Sequence, residues 1–149
     1  MKAIVQRVKS ASVYISGHNY TEKISKGLLI LLGIKIGDTE KDVIFVADKC
    51  CNLRIFEDEE DKMNKSVKDV SGEMLIISQF TIYGETAKGN RPSFIEAAKP
   101  EEAIPLYNKF ISRVKTNLGE DKVKEGIFGA MMDVELINHG PVTVIVESR

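Results

Sequence analysis

The sequence predicts a single compact domain of mixed α+β class, with mostly antiparallel or mixed β-sheet layers and two long helices. Three observations lead there. The apolar runs Gly27 to Ile34 and Met74 to Ile77 have strand length and are bounded by glycine or polar residues. Two longer stretches repeat apolar residues at helical spacing. No repeat, low-complexity tract or linker divides residues 1–149. A chain of this size buries roughly 68–70% of its unfolded surface, so an ordinary core suffices without a disulfide or a metal.

In chain order, Ala3 to Val8 is mostly apolar with Gln6 and Arg7 set within it, a first strand. Ser12 to Ile15 alternates polar and apolar, a second. Ser16-Gly17-His18-Asn19 is a turn leading to a strand at Tyr20–Ile24. Gly27 to Ile34 is a central strand. Asp38 or Thr39 caps a helix over residues 40–53, with Asp42 at the capping-box position relative to Thr39. Val43, Val46, Ala47, Cys50 and Leu53 form its apolar face. Leu53 to Phe56 is a short strand, and the acidic run Glu57 to Lys62 is a solvated loop. Val70-Ser71-Gly72-Glu73 turns into the buried strand that ends in Ser78-Gln79-Phe80-Thr81. Gly89 to Pro92 is a loop, and Ser93 caps a short helix through Ala98. Pro100 suits the first position of the next helix. Its apolar stripe is Ala103, Tyr107, Phe110, Ile111, Val114 and Leu118, Pro105 disturbs its first turn, and Gly119 ends it. Val123 to Phe128, Met132 to Ile137 and Val142 to Val146 are the last strands, giving about eight in all. In Met132 to Ile137 the alternation predicts one buried face.

The charge is balanced, 21 basic against 22 acidic residues, which leaves room for a local basic patch but not a broad polyanion-binding surface. The two cysteines are adjacent, Cys50 and Cys51, and read as buried free thiols. No apolar run approaches the ~20 residues needed to span a membrane. With no signal peptide, a cytoplasmic location without membrane association is expected.

Two stretches carry the candidate chemistry. Ser78, Gln79, Phe80 and Thr81 place polar groups at the rim of a core. Asn138-His139-Gly140-Pro141-Val142-Thr143 is a polar tight turn between two strand-like runs. Gly140 permits close backbone approach, and Pro141 removes a backbone donor. About one X-Pro bond in twenty in folded proteins is cis. A rigid turn of this kind presents carbonyl oxygens at fixed positions. His18 and His139 are the only histidines, and both read as turn residues. No glycine-rich phosphate loop and no His/Cys zinc cluster is present, so no metal and no cofactor is expected.

The chain resembles the D-aminoacyl-tRNA deacylases. The resemblance runs from Met1-Lys2-Ala3-Ile4-Val5-Gln6-Arg7-Val8 through Ser-Gln-Phe-Thr at 78–81 and Arg91-Pro92-Ser93-Phe94 to Asn-His-Gly-Pro-Val-Thr at 138–143. It covers essentially the whole chain, and the two motifs together at this separation are highly specific. It implies a homodimer that hydrolyses the ester between a D-amino acid and the 3′ end of tRNA, with no DNA partner. It further implies that Gly140 and Pro141, joined by a cis bond, reach into the partner subunit's site. There their carbonyls hold the substrate's amino group and exclude an L side chain, while achiral glycine on a non-cognate tRNA is accepted. The pocket of Ser78, Gln79, Phe80 and Thr81 receives the terminal adenosine and the ester, with the RNA's own 2′-hydroxyl assisting. Thr81 is a candidate nucleophile, and Arg7 and Asn138 are candidate supports of the Gly-Pro turn.

Overall fold

The computed structural model describes residues 1–149. The spine of the fold is β1 (Lys2–Ile15), an unbroken 14-residue strand where the sequence pattern predicts two. It pairs antiparallel with β2 (Tyr20–Ile24) and β3 (Gly27–Gly33) along one edge. Along the other edge it pairs antiparallel with β8 (Asp133–Glu147). Beyond β3 the sheet continues in parallel through β6 (Glu73–Ser78) and β7 (Val123–Glu125). The result is one mixed six-stranded sheet. A separate two-stranded hairpin is formed by β4 (Phe56–Glu57) and β5 (Met63–Lys65).

The apolar runs are explained by burial on both faces of the sheet. In β3, Leu28, Ile30 and Leu32 point into the larger core, and Leu29 points into the smaller. In β6, Met74 and Ile76 face the larger core while Leu75 and Ile77 face the smaller. A strand buried on both faces has no room for polar alternation. The larger core is closed by α1 (Glu40–Asn52) and α2 (Pro100–Leu118). Helix α1 starts at the expected box, where the Asp42 carboxylate accepts from the Thr39 N–H and hydroxyl, both at 2.8 Å. Helix α2 carries Pro105 without a break. Cys50 and Cys51 are buried and free, and burial pushes the Cys51 thiol up to about 11, so it stays protonated.

Four expectations are corrected. Residues 93–98 form no helix: Ser93 bridges Glu85 and Ala97 bridges Lys35, so their backbone groups are held by neighbouring chain. Strand β7 stops at Glu125, short of the expected Phe128, because the chain then turns, with the Ala130 N–H donating to the Ile127 carbonyl at 3.2 Å. The stretches 132–137 and 142–146 are one strand, and the motif between them does not reverse the chain. The predicted buried face of that strand is only partly covered: Met132 and Val134 pack against the smaller core, but Leu136 is exposed.

The two helices are joined by Asp48 of α1, which accepts from Arg113 Nε and Nη2 at 2.8 and 2.7 Å and from Asn117 Nδ2 at 2.8 Å. The hydrogen bond from Arg113 leads in holding the Asp48 carboxyl below its usual range. A carboxyl with a depressed folded pKa stabilises the fold above its unfolded pKa, and that contribution is lost as pH falls through the folded value. Asp48→Asn is therefore expected to cost about 1 kcal/mol at neutral pH, the upper end for a solvent-screened pair. The difference should shrink as pH falls through the depressed folded value, as urea midpoints at neutral and at acid pH will report.

Candidate active site

A cleft of about 380 Å³ opens where β3 and β6 end, at the carboxyl ends of a parallel pair. This is where open α/β sheets commonly bind ligands. One wall is Leu32, Ile34, Ile77, Ser78, Gln79 and Phe80. The opposite wall is the loop from Phe128 to Met132, with Val134 of β8. That loop is held from beneath by Tyr107 of α2. Its hydroxyl donates to the Ile76 carbonyl at 3.0 Å, and its ring packs edge-on against Phe128, with centroids 5.6 Å apart.

Three of the four residues expected here line the cleft: Ser78, Gln79 and Phe80. After Ser78 the chain leaves the sheet, and Phe80–Tyr83 forms a 3₁₀ turn. The Gln79 N–H is used on the Leu32 carbonyl at 2.8 Å. The next two N–H groups, of Phe80 and Thr81, open the turn and have no partner inside it. Phe80 is exposed and packs edge-on against Phe94, 5.2 Å between centroids. Thr81 lies outside the lining, and its hydroxyl oxygen accepts from Gln79 Nε2 at 2.5 Å. No histidine, acid or lysine lines the cleft to act as a base for it. No group of three or more His, Cys, Asp or Glu side chains is gathered in metal-binding geometry.

Gly140 and Pro141 are exposed, their bond is cis, and they do not line this cleft. Pairing of β1 with β8 runs from Lys2↔Glu147 to Gln6↔Thr143, then resumes at Val8↔Asn138. Residues 139–142 thus bulge out opposite the single residue Arg7. Asn138 braces the bulge: its Oδ1 accepts from the Val142 N–H at 3.0 Å and its Nδ2 donates to Thr143 Oγ1 at 3.2 Å. Arg7, 2% exposed, donates through Nε to the His139 carbonyl at 3.0 Å. Gly140 has φ +129°, and a Cβ there would stand 2.7 Å from Val142 Cγ2 and 3.1 Å from Arg7 Nη2. Only glycine fits.

The Phe128–Met132 wall is not apparent from the sequence, where it falls between two expected strands. Its signal was the pair Gly126 and Gly129, the latter at φ +75°. Nor are Ile55 and Glu57, which hold Arg7 from the far side; no local pattern reports that contact.

The geometry defines a class first: an α+β fold with an uncharged cleft of apolar walls at the ends of a parallel strand pair. Comparison with known proteins then gives the particular family. The family model described as D-Tyr-tRNA(Tyr) deacylase matches residues 4–147. A Halalkalibacterium halodurans protein named D-aminoacyl-tRNA deacylase is 55% identical over 149 residues, covering 100% of each chain. One of the same name from Flavobacterium psychrophilum is 54% identical, covering 100% of this chain and 98% of its own. A solved structure named c-Myc DNA Unwinding Element Binding Protein superposes with TM-score 0.93 at 42% identity, covering 100% and 99% of the two chains. A probable eukaryotic D-amino acid tRNA deacylase shares the fold at TM-score 0.83 and 16% identity, over 99% of this chain and 98% of that one. The chain belongs to the D-Tyr-tRNA(Tyr) deacylase family, and it is an enzyme.

Arg7→Lys keeps the charge but cannot span the acceptors that the guanidinium reaches. It is expected to lower stability by about 1–3 kcal/mol, since buried carbonyls lose their donors. Urea denaturation at neutral pH will measure the loss.

Proposed function

We propose that this protein hydrolyses D-aminoacyl-tRNA, releasing the free D-amino acid and tRNA. Water adds to the ester carbonyl carbon, and the carbonyl electron pair moves onto oxygen. The tetrahedral oxyanion then collapses, the ester C–O bond breaks, and the tRNA 3′-oxygen leaves with a proton. In this reading the N–H groups of Phe80 and Thr81, which have no partner inside the turn, stabilise the oxyanion. Loss of one such donor costs other enzymes about 10²–10³ in rate. Ser78, Gln79 and Phe80 receive the ester and the terminal adenosine, with the substrate's 2′-hydroxyl assisting. Thr81 serves through its backbone and not as a nucleophile.

Chiral selection is assigned to Gly140 and Pro141 of a second copy. The observation that carries this is the separation of gate and cleft in one chain. Val134 lines the cleft, and Gly140 follows six residues later on β8, roughly 20 Å along a strand at ~3.3 Å per residue. On this reading the gate of one chain serves the cleft of another. Strand β8 suits a homodimer contact: it is a long edge strand on which Ile137 is 57% and Ile145 63% exposed. A gate that excludes an L side chain by its carbonyls leaves glycine free to enter, so glycyl esters on non-cognate tRNA are also substrates. The DNA-binding name of the 42%-identical structure is one support for a different reading. The balanced charge of this chain offers no broad surface for a duplex.

The test is paired deacylation of D- and L-tyrosyl-tRNA at equal concentration. Rapid loss of the D-ester alone is expected. Gly140→Ala should collapse either the D/L ratio or total activity, whereas Thr81→Ala should keep turnover within about threefold of the parent, far from the loss seen when a nucleophile is removed. Persistence of both esters with a folded protein would reject the reading.

A further inference from the structure

Arg7 touches more than the Gly140 bulge. Its Nη1 donates to the Ile55 carbonyl at 2.7 Å, and Nη2 lies 3.3 Å from Glu57 Oε1. The same Nη2 stands 3.1 Å from where a Gly140 Cβ would be. The guanidinium is thus a floor under Gly140, pinned from behind by residues 55 and 57. Glu57 is the one carboxylate paired with this buried cation.

Glu57 is 44% exposed at its side chain, yet its backbone is paired with Met63 in the hairpin. Phe56 beside it is buried in the larger core. The turn that follows is closed by Asp58, which accepts from the Glu60 and Lys62 N–H groups and from Asn64 Nδ2 at 2.9, 3.0 and 2.6 Å. Arg54 in turn donates to the Asn64 carbonyl and side chain. The hairpin therefore presents Glu57 to Arg7 from a fixed base.

We propose that Glu57 is a positioning residue for chiral selection: through Arg7 Nη2 it fixes the Gly140-Pro141 bulge that faces the substrate. The inference rests on the gate reading above. A displacement of about 1 Å in a positioning group can cost 10²-fold in a reaction, while a half-exposed ion pair adds little to stability. Loss of Glu57 therefore acts on selectivity first.

The full-length protein is assayed with D- and L-tyrosyl-tRNA as Glu57→Ala, Glu57→Gln and Gly140→Ala. In Glu57→Ala the L-ester rate is expected to rise and the D/L ratio to fall about tenfold. Glu57→Gln keeps an oxygen acceptor for Nη2 and should hold the ratio within about threefold of the parent. A merely structural role would lower both rates together and leave the ratio alone. A parental ratio in Glu57→Ala, or a parallel fall of both rates, overturns the proposal when Gly140→Ala has lost its ratio or its activity. If Gly140→Ala itself keeps parental rates and ratio, the gate reading fails and the role of Glu57 fails with it.

Discussion

The broken register between β1 and β8 is the constraint on which the rest of the structure depends. Both strands keep their direction, yet residues 139–142 face Arg7 alone. The extra chain must go somewhere, and it goes outward as an exposed Gly-Pro bulge. An exposed bulge would ordinarily be loose. Here Asn138 ties its two ends together, and Arg7 ties its first carbonyl to the body of the protein. A buried guanidinium is costly unless its donors are satisfied, so Arg7 has little freedom to let go.

The cleft is built by a different device. Strands β3 and β6 are buried on both faces and run parallel, so their carboxyl ends open together on one side. The chain leaves β6 at Ser78 and turns at once, which frees backbone donors beside an apolar cavity. Charged side chains are absent from the walls, so whatever binds is oriented by backbone groups and by shape. Within a low-dielectric cleft such dipoles act more strongly than in water.

Much of this was legible in the sequence where a period or a motif reports burial. The two-sided strands showed as unbroken apolar runs, and α1 and α2 showed as stripes with their capping residues in place. The Gly140-Pro141 and Ser78–Thr81 stretches stood out because their residue types are unusual at strand ends. What failed to show was set by distant contacts. Nothing local says that 132–137 and 142–146 continue as one strand, because both halves are held in line by pairing with the distant β1. The absence of a helix at 93–98 follows from bridges to Glu85 and Lys35. Glu57 looked like one acid among five, and only its contact with Arg7 singles it out. Leu136 continued the alternation of Met132 and Val134, yet a single chain leaves it open.

The central claim, that one chain's bulge completes another chain's cleft, is tested most directly with mixed dimers. One subunit carries Gly140→Ala, with an intact cleft and a spoiled gate. The other carries Ala130→Trp, with a filled cleft and an intact gate. Purified heterodimers should regain D-selective hydrolysis at about half the parental rate, because one of the two sites then has both sound parts. Heterodimers that behave like Gly140→Ala alone would show that each gate serves its own chain, and would contradict the account.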